Sequence, residues 1–188
     1  MGKMFLMCGL SGAGKTTFAQ KVAEDTGYAY LSIDDFYTDN HRLFTPNLKS
    51  PWNDPKASFE VWQEFFRVIH VYELDGDDVV IDTNAPTFVK RAQFIDWFPT
   101  FDEHNLIYIE ADRELRRRNN TSRDRVVPDD EMERMEREFE YPLWIGCGGC
   151  AYWTNEDDEG RNDSDCWDHA TFFLNENNIL REIPIYNN

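Results

Sequence analysis

The chain has 188 residues, a length that suits one domain, and its content of Leu, Ile, Val and Phe exceeds that of disordered chains. The formal net charge of −17 creates a field that repels nucleic acid and anionic lipid over most of the surface. No apolar run reaches the roughly 20 residues that a membrane-spanning helix needs. These features argue against a disordered chain, a membrane-spanning protein and a non-specific nucleic-acid coat.

The amino-terminal part of the chain alternates short apolar runs with helical patterns. Met4–Cys8 and Tyr28–Ile33 predict buried strands, and Lys15–Thr26 between them predicts a helix. Residues 39–55 carry three prolines and predict a loop. Ala57–Tyr72 has apolar residues at helical spacing and predicts a long helix.

The rest of the chain continues the alternation. In order, the patterns predict a strand at Val79–Ile81, a helix at Pro86–Phe98, a strand at Leu106–Ile109, a helix at Asp112–Arg118, a helix that begins at Pro128, and strands at Thr171–Leu174 and Ile179–Ile185. Alternating strands and helices predict an α/β fold with a parallel sheet covered on both faces. We expect a single domain over residues 1–188, with a lid at about 116–128 and a Cys-rich insertion at about 143–169.

A phosphate-loop pattern, G-x-x-x-x-G-K-[ST], follows the first predicted strand at residues 9–16. Glycines let backbone N–H groups surround phosphate oxygens, and the next helix directs its positive end at the same anion. In this pattern Lys15 contacts the β- and γ-phosphates, and the Thr16 hydroxyl binds Mg²⁺. We therefore predict binding of ATP or another nucleoside triphosphate with Mg²⁺, rather than a glycine-rich turn without a ligand. The predicted nucleotide-binding residues in this segment are Gly9, Ser11, Gly12, Ala13, Gly14, Lys15, Thr16 and Thr17.

Three further signals follow the phosphate loop. Asp34-Asp35 comes after the second predicted strand, and Asp82-Thr83-Asn84 ends the third. An arginine-rich segment with Arg118-Asn119 and Val127-Pro128 precedes a helix. In this order, the chain resembles the polynucleotide-kinase-like branch of the P-loop kinases, typified by the phage polynucleotide 5′-kinase, over residues 4 to about 142. The resemblance implies the strand order 2-3-1-4-5 and transfer of a γ-phosphate to a hydroxyl.

The acidic residues are the candidate base and metal ligands. The resemblance implies that Asp34 accepts the proton of the attacking hydroxyl. The residues alone agree, because a carboxylate at the carboxyl end of a strand in an α/β sheet lies at the phosphate crevice; helix capping or a solvated turn is the alternative. Asp82 is expected to hold Mg²⁺ or to orient the acceptor, unless it only forms a turn. Asp35 and Asn84 are the other predicted acceptor-binding residues on these segments.

The predicted lid contains five arginines. An Arg brought in on closure can stabilise the charge that phosphoryl transfer spreads over the phosphate oxygens. Arg123 is predicted to take this catalytic role, Arg125 is the second candidate, and Arg118 is expected to contact the nucleotide. Arg116 and Arg117 are expected to be ordinary surface charges. The alternative for the whole segment is a solvated basic loop that pairs with the surrounding acids.

The region after the aspartate pair carries a cation and aromatic rings. Arg42 is a candidate contact for the acceptor, and Tyr37 is a candidate to stack on a base, as are Phe44 and Trp52. Packing within the loop is the alternative for these rings. Ile33 and Tyr37 stand where the phage kinase carries arginines, and the later of those arginines holds the nucleic-acid phosphate.

A second constellation has the spacing C-x₂-C-x₁₅-C-x₂-H. Two ligand pairs at such spacing can close a tetrahedral zinc site, and glycines within the first pair permit a tight turn around the ion. The predicted structural Zn²⁺ ligands are Cys147, Cys150, Cys166 and His169. Free buried thiols and a disulfide are the alternatives.

Together these features favour a cytoplasmic, nucleoside-triphosphate-dependent kinase. The first expected acceptor is the 5′-hydroxyl of a polynucleotide. A hydroxymethylated base in DNA, as in phage DNA-modification kinases, is the second, and a nucleoside or other small metabolite is the third. The alternative from another class is a non-catalytic ATP-binding module that docks a partner through the cysteine segment.

Overall fold

A six-stranded sheet forms the centre of the computed structural model, which describes residues 2–44, 55–123, 126–142 and 167–183. The strands are β1 (Lys3–Cys8), β2 (Ala29–Ser32), β3 (Val79–Asp82), β4 (Glu103–Ala111), β5 (His169–Glu176) and β6 (Ile179–Ile183). Their order is β2-β3-β1-β4-β5-β6, with β6 antiparallel to β5 and all other pairs parallel. The α/β fold and the predicted order of the first five strands are confirmed, and β6 extends the edge.

Six helices accompany the described strands: α1 (Lys15–Thr26), α2 (Ile33–Phe44), α3 (Pro55–Asp75), α4 (Phe88–Trp97), α5 (Arg113–Thr121) and α6 (Asp129–Glu138). The prediction of a loop from residue 39 was wrong at its start, because α2 continues to Phe44. The prolines that predicted the loop begin only at residue 46, beyond this helix, and α2 packs on α3 through Phe36, whose ring lies edge-on to Phe65 with centroids 5.5 Å apart. Within the part of the chain that the structure describes, no helix is long and apolar enough to cross a membrane.

Helices cover both faces of the sheet because β1 alternates its side chains between two cores. Met4 and Leu6 pack on one face with residues of α3 such as Phe65. Met7 packs on the other face with Ala19 of α1. The sheet is therefore buried on both sides, as the near-continuous apolar run of β1 requires.

Strand register aligns the carboxyl ends of β1, β2 and β3 at the same end of the sheet. Leu6 of β1 pairs with Ile81 of β3, and Ser32 of β2 pairs with Asp82 of β3. The chain continues from these strands into the phosphate loop, into α2 and into the turn after Asp82. Because ligands bind beyond the carboxyl ends of parallel strands, this end is where the site is expected.

Candidate active site

The phosphate loop connects β1 to α1 in a backbone conformation that requires glycine. Gly12 has φ 82° and Gly14 has φ 105°, in the left-handed region. A Cβ atom on Gly12 would lie 2.3 Å from the backbone oxygen of Arg116. The loop therefore has no room for a side chain at this position, and its backbone lies close to α5.

The start of α1 is arranged to receive an anion. Gly14 caps the helix without a side-chain hydrogen bond, so no side chain takes the first-turn N–H groups at this cap. The buried Lys15 ammonium donates to the backbone oxygen of Leu10 at 3.1 Å, which holds the side chain against the loop. Thr16 and Thr17 are exposed on the same turn.

Asp82 lies beneath this turn and is 6% exposed. The Tyr30 hydroxyl donates to its Oδ2 atom at 3.2 Å, and Thr16 makes a second side-chain hydrogen bond to it. Burial raises the pKa of Asp82, and the charge of Lys15 and these hydrogen bonds oppose the rise. The two predicted Mg²⁺ ligands, Thr16 and Asp82, are therefore in contact.

The three residues predicted to be catalytic share one electrostatic environment. Burial lowers the pKa of Lys15, the charge of Asp82 opposes this shift, and the positive charge of Arg123 adds to it. The charge of Asp34 also acts on Lys15, in the direction that favours the ammonium form and raises its pKa. The charges of Asp34 and Arg123 therefore both act on Lys15.

A cleft of about 880 Å³ opens beside the phosphate loop. Gly9 and Ser11 of the loop, Asp34 at the start of α2 and Asn84 after β3 line one end of it. Side chains of α3, α4 and α6 form the remaining walls. A ligand in this cleft meets Asp34 and the phosphate loop together.

The other predicted acceptor residues occupy different positions around this cleft. Tyr37 lines it but is only 2% exposed, and its hydroxyl is hydrogen-bonded to Ser58. Its ring is thus packed against α3. Packing was the alternative to base stacking that the sequence left open for this ring. Asp35 is exposed, and its charge acts on Tyr30, whose pKa is raised mainly by burial.

The lid arginines divide into two groups. Arg118 is exposed and donates to Oδ1 of Asn177 at 3.3 Å, beside the phosphate loop, and Arg123 acts on Lys15. The expectation of a surface charge was wrong for Arg116, which is 4% exposed and donates to Ala111 and Glu136, both at 3.1 Å. Arg117 is exposed and pairs with α6, as expected. The alternative in which the lid arginines pair with surrounding acids therefore applies to Arg116 and Arg117, which contact Glu136 and Glu133.

Two asparagines for which the sequence predicted no contact with the phosphate loop hold its backbone from neighbouring elements. Asn119 donates to the backbone oxygen of Gly12 at 2.9 Å, and buried Asn175 donates to that of Ala13 at 2.7 Å. The Oδ1 atom of Asn175 is buried among the described residues without a hydrogen-bond partner. A lone asparagine carries no periodic or spacing signal, so tertiary structure was needed to find these contacts.

A third residue for which the sequence predicted no role is Arg91 of α4. It joins the acceptor side of the site to the segment that follows α6. It is completely buried and donates to the backbone oxygens of Ala85 and Glu140 at 3.1 and 3.0 Å. Glu140 in turn accepts from the backbone N–H of Phe88 at 2.7 Å. This network fixes the turn that carries Asn84 against the end of α6.

Several predicted ligands lie outside the described residues. These are Arg125, Cys147, Cys150 and Cys166, and the side chain of Arg42 is also outside them. His169 is described and is exposed at the first position of β5. With three of its four predicted ligands outside the described ranges, the zinc site stays a prediction. Within those ranges, no cluster of three potential metal ligands occurs.

The residues present at the phosphate loop fit a nucleotide and its metal. The glycine backbone leaves a cradle in which a Cβ atom at residue 12 has no room, and the first turn of α1 has no side-chain cap. Thr16 and Asp82 supply the hydroxyl and carboxylate oxygens that Mg²⁺ prefers. The fold and this site define a kinase-like P-loop domain.

A family model described as an AAA domain (AAA_33) matches residues 4–142, so the chain belongs to that family. The adenylate kinase isoenzyme 6 homolog of Schizosaccharomyces pombe is 32% identical to the chain over 92 residues. The matched segment covers 49% of this chain and 41% of that protein, so the chain spans about two fifths of the relative that it matches.

Solved structures share the fold at low sequence identity. A sugar kinase from Janibacter sp. HTCC2649 aligns with TM-score 0.57 and 16% identity, over 76% of this chain and 80% of the other. A putative kinase from Chloroflexus aurantiacus aligns with TM-score 0.59 and 14% identity, over 71% and 74%. A chain of the Pnkp1/Rnl/Hen1 RNA repair complex aligns with TM-score 0.58 and 15% identity, over 84% and 53%. These likenesses establish the fold and leave the acceptor open.

Proposed function

We propose that the chain is an ATP-dependent kinase that transfers the γ-phosphate to a hydroxyl of a nucleotide or nucleic acid. The observation that carries the proposal is the position of Asp34, which lines the same cleft as Gly9 and Ser11 of the phosphate loop. A carboxylate at that point can accept the proton of a hydroxyl that enters the cleft, while the loop holds the phosphate donor.

Each group of the site has one role in this reaction. Lys15 and the first turn of α1 bind the donor phosphates. Thr16 and Asp82 would hold Mg²⁺, which would neutralise phosphate charge when bound. Arg123 contacts the transferring group and stabilises the charge on its oxygens.

The transfer itself is an exchange of one P–O bond for another. The acceptor oxygen forms a bond to the γ-phosphorus as its proton passes to the Asp34 carboxylate. The bond between that phosphorus and the β,γ-bridging oxygen breaks, and ADP leaves with the electron pair. Lys15 stabilises the charge on the departing β-phosphate.

A nucleotide-type acceptor is supported by the relative that is named an adenylate kinase isoenzyme 6 homolog. The 5′-hydroxyl of a polynucleotide is the first acceptor that we propose. A hydroxymethylated base in DNA and a free nucleoside are the next two.

The proposal is tested by transfer of label from γ-labelled ATP, with Mg²⁺, to a panel of acceptors. The panel contains a single-stranded 5′-hydroxyl oligonucleotide, a duplex with hydroxymethyluracil, and a nucleoside mixture. We expect label on a member of the panel, and its loss in Lys15→Met. The control is Lys21→Met, which changes an exposed lysine of α1 that pairs with Asp25 at 2.7 Å. ATP binding with no label on any acceptor would contradict the proposal and favour a non-catalytic ATP-binding module.

A further inference from the structure

We propose that the apolar end of the cleft is a subsite for one unpaired nucleobase of the acceptor, which stacks against the exposed ring of Trp97. The inference rests on the proposed kinase function, because the acceptor hydroxyl must reach Asp34 at the other end of the same cleft. Three features of the cleft walls support it: the arrangement of their rings, their amide side chains and their charges.

The rings of Trp62, Phe66, Phe94 and Trp97 form one connected group along the cleft. Ring centroids are 5.2 Å apart for Trp62 and Phe66, and 4.5 Å apart for Phe66 and Trp97, the latter pair edge to face. Phe94 is buried and anchors the group, whereas Trp97 is 49% exposed. The free part of Trp97 offers a flat surface to a flat ligand.

Amide side chains stand beside these rings. Gln63 follows Trp62 on α3, Gln93 precedes Phe94 on α4, and both line the cleft. An amide offers a donor and an acceptor side by side, which matches the N6 and N7 groups of adenine. A nucleobase has apolar faces and a polar edge. Rings flanked by amides can therefore stack on its faces and form hydrogen bonds with its edge.

The charges of the cleft favour a single nucleoside unit over a length of polynucleotide. Among the described lining residues, the cations are Lys90 and Arg134. Arg134 donates to Glu131 at 2.9 Å and to Glu138 at 2.8 Å, so neighbouring carboxylates already satisfy its guanidinium. A groove that follows a nucleic-acid backbone carries a continuous positive surface. This cleft supplies Lys90 for about one phosphate and rings for one base.

The size of the cleft agrees with this assignment. Its volume of about 880 Å³ lies within the roughly 300–1,000 Å³ of sites that enclose small molecules. A base bound there must be unpaired and unstacked, because a cleft of this volume encloses a unit the size of a small molecule rather than a duplex, and the base needs a free face to stack on Trp97. The acceptor unit is therefore a free nucleoside or nucleotide, or the single-stranded end of a chain.

The test compares two oligonucleotides that differ by one base at the 5′-hydroxyl end, adenine in one and an abasic residue in the other. We expect kcat/KM to be about 5- to 150-fold higher for the adenine end, the range that one base–aromatic stack contributes. Trp97→Ala should bring this ratio close to one, and Trp97→Phe should keep most of it. Leu74→Ala is the matched control, since it removes another exposed apolar side chain, at the end of α3, and should leave the ratio unchanged.

Free adenosine is the second arm and separates the two sources of the base. Transfer to adenosine, to the oligonucleotide end or to both supports the subsite if Trp97→Ala lowers kcat/KM by the same factor. Equal kcat/KM for adenine and abasic ends would overturn the subsite and leave the kinase function standing. If no acceptor is labelled, titration calorimetry with adenosine decides. Binding that Trp97→Ala weakens supports the subsite although the kinase proposal fails, and absence of binding overturns both.

Discussion

The donor half and the acceptor half of the site are built in different ways. The proposed donor half is centred on one continuous segment, residues 9–16, whose backbone N–H groups and helix terminus suit phosphate, and Asp82 of β3 adds a carboxylate beside it. The acceptor half takes its walls from α2, α3, α4 and α6, between Ile33 and Phe139. Binding of the phosphate donor is therefore expected to depend on a short sequence motif. The choice of acceptor is expected to depend on side chains that only the fold brings together.

The two halves also differ in charge. The donor half contains the buried charges of Lys15 and Asp82, whose pKa values burial shifts toward the neutral forms. The acceptor half presents rings, amides and a few exposed charges. Changes in the donor half should therefore affect every acceptor equally, whereas a change such as Trp97→Ala should discriminate between acceptors.

The largest effect is expected from Arg123→Ala. Removing an arginine that stabilises the transferring phosphate lowers kcat by about 10³- to 10⁵-fold in related chemistry, and the loss should be the same for every acceptor. Single-turnover transfer from labelled ATP measures it. Arg117→Ala is the control, since this arginine pairs with Glu133 of α6 at 3.6 Å. Equal losses in the two variants would remove Arg123 from its proposed role.

The second effect concerns the stability of the donor half. Lys15 and Asp82 are buried charges that attract each other, and burial disfavours the charged form of both. Replacing buried opposite charges by uncharged side chains is often neutral or stabilising by about 1–4 kcal/mol. We expect the double variant Lys15→Met, Asp82→Asn to be at least as stable as the wild type without nucleotide, and inactive. Urea denaturation at several pH values measures the difference. A large loss of stability in the double variant would show that these two charges stabilise the fold.

The pH dependence of that difference has a definite sign. The folded-state pKa of Asp82 is raised, so the wild type loses stability as pH rises from about 3.9, the ordinary value for Asp, through the raised value. The folded-state pKa of Lys15 is lowered, so the wild type regains stability as pH rises from that lowered value toward about 10.4. The advantage of the double variant should be greatest between these limits, where both side chains are charged.

A smaller effect is expected from Asn175→Ala. Asn175 holds the backbone oxygen of Ala13, and its loss should raise KM for ATP about 10-fold, the worth of one hydrogen bond of about 1.4 kcal/mol. KM for the acceptor should not change. The matched control is Asn105→Ala, which removes a similar buried hydrogen bond to Met4 at the opposite end of the sheet. An equal change of both KM values in Asn175→Ala would mean that the two halves are not separate.

Much of the fold could be predicted because its signals are local. The apolar runs of β1 and β3 and the long helical pattern of α3 are contained in single segments. The end of α2 was predicted wrongly, because the loop was inferred from prolines that begin only at residue 46, beyond the helix. A proline marks where a helix cannot continue, but it does not show where before that point the helix ends.

The residues of the site also differ in whether a local sequence signal marks them. The sequence predicted Lys15 from the phosphate-loop pattern, and it predicted Asp34 and Asp82 from their positions at strand ends, which converge in a parallel sheet, with the resemblance also pointing to Asp34. It did not predict the roles of Asn175 or Arg91, whose hydrogen-bonding partners are backbone oxygens far along the chain. It predicted no role for Trp97, because helical periodicity does not distinguish a face that covers a core from one that lines a cleft.

The most direct test of the central claim is Asp34→Asn, measured for ATP binding and for single-turnover transfer. The account predicts unchanged ATP affinity and a transfer rate lowered by about 10²- to 10⁴-fold, because the amide cannot accept the acceptor proton. Asp75→Asn, at the exposed end of α3, is the control and should keep the full rate. Normal transfer by Asp34→Asn would contradict the assignment of the base, and with it the proposed mechanism of this site.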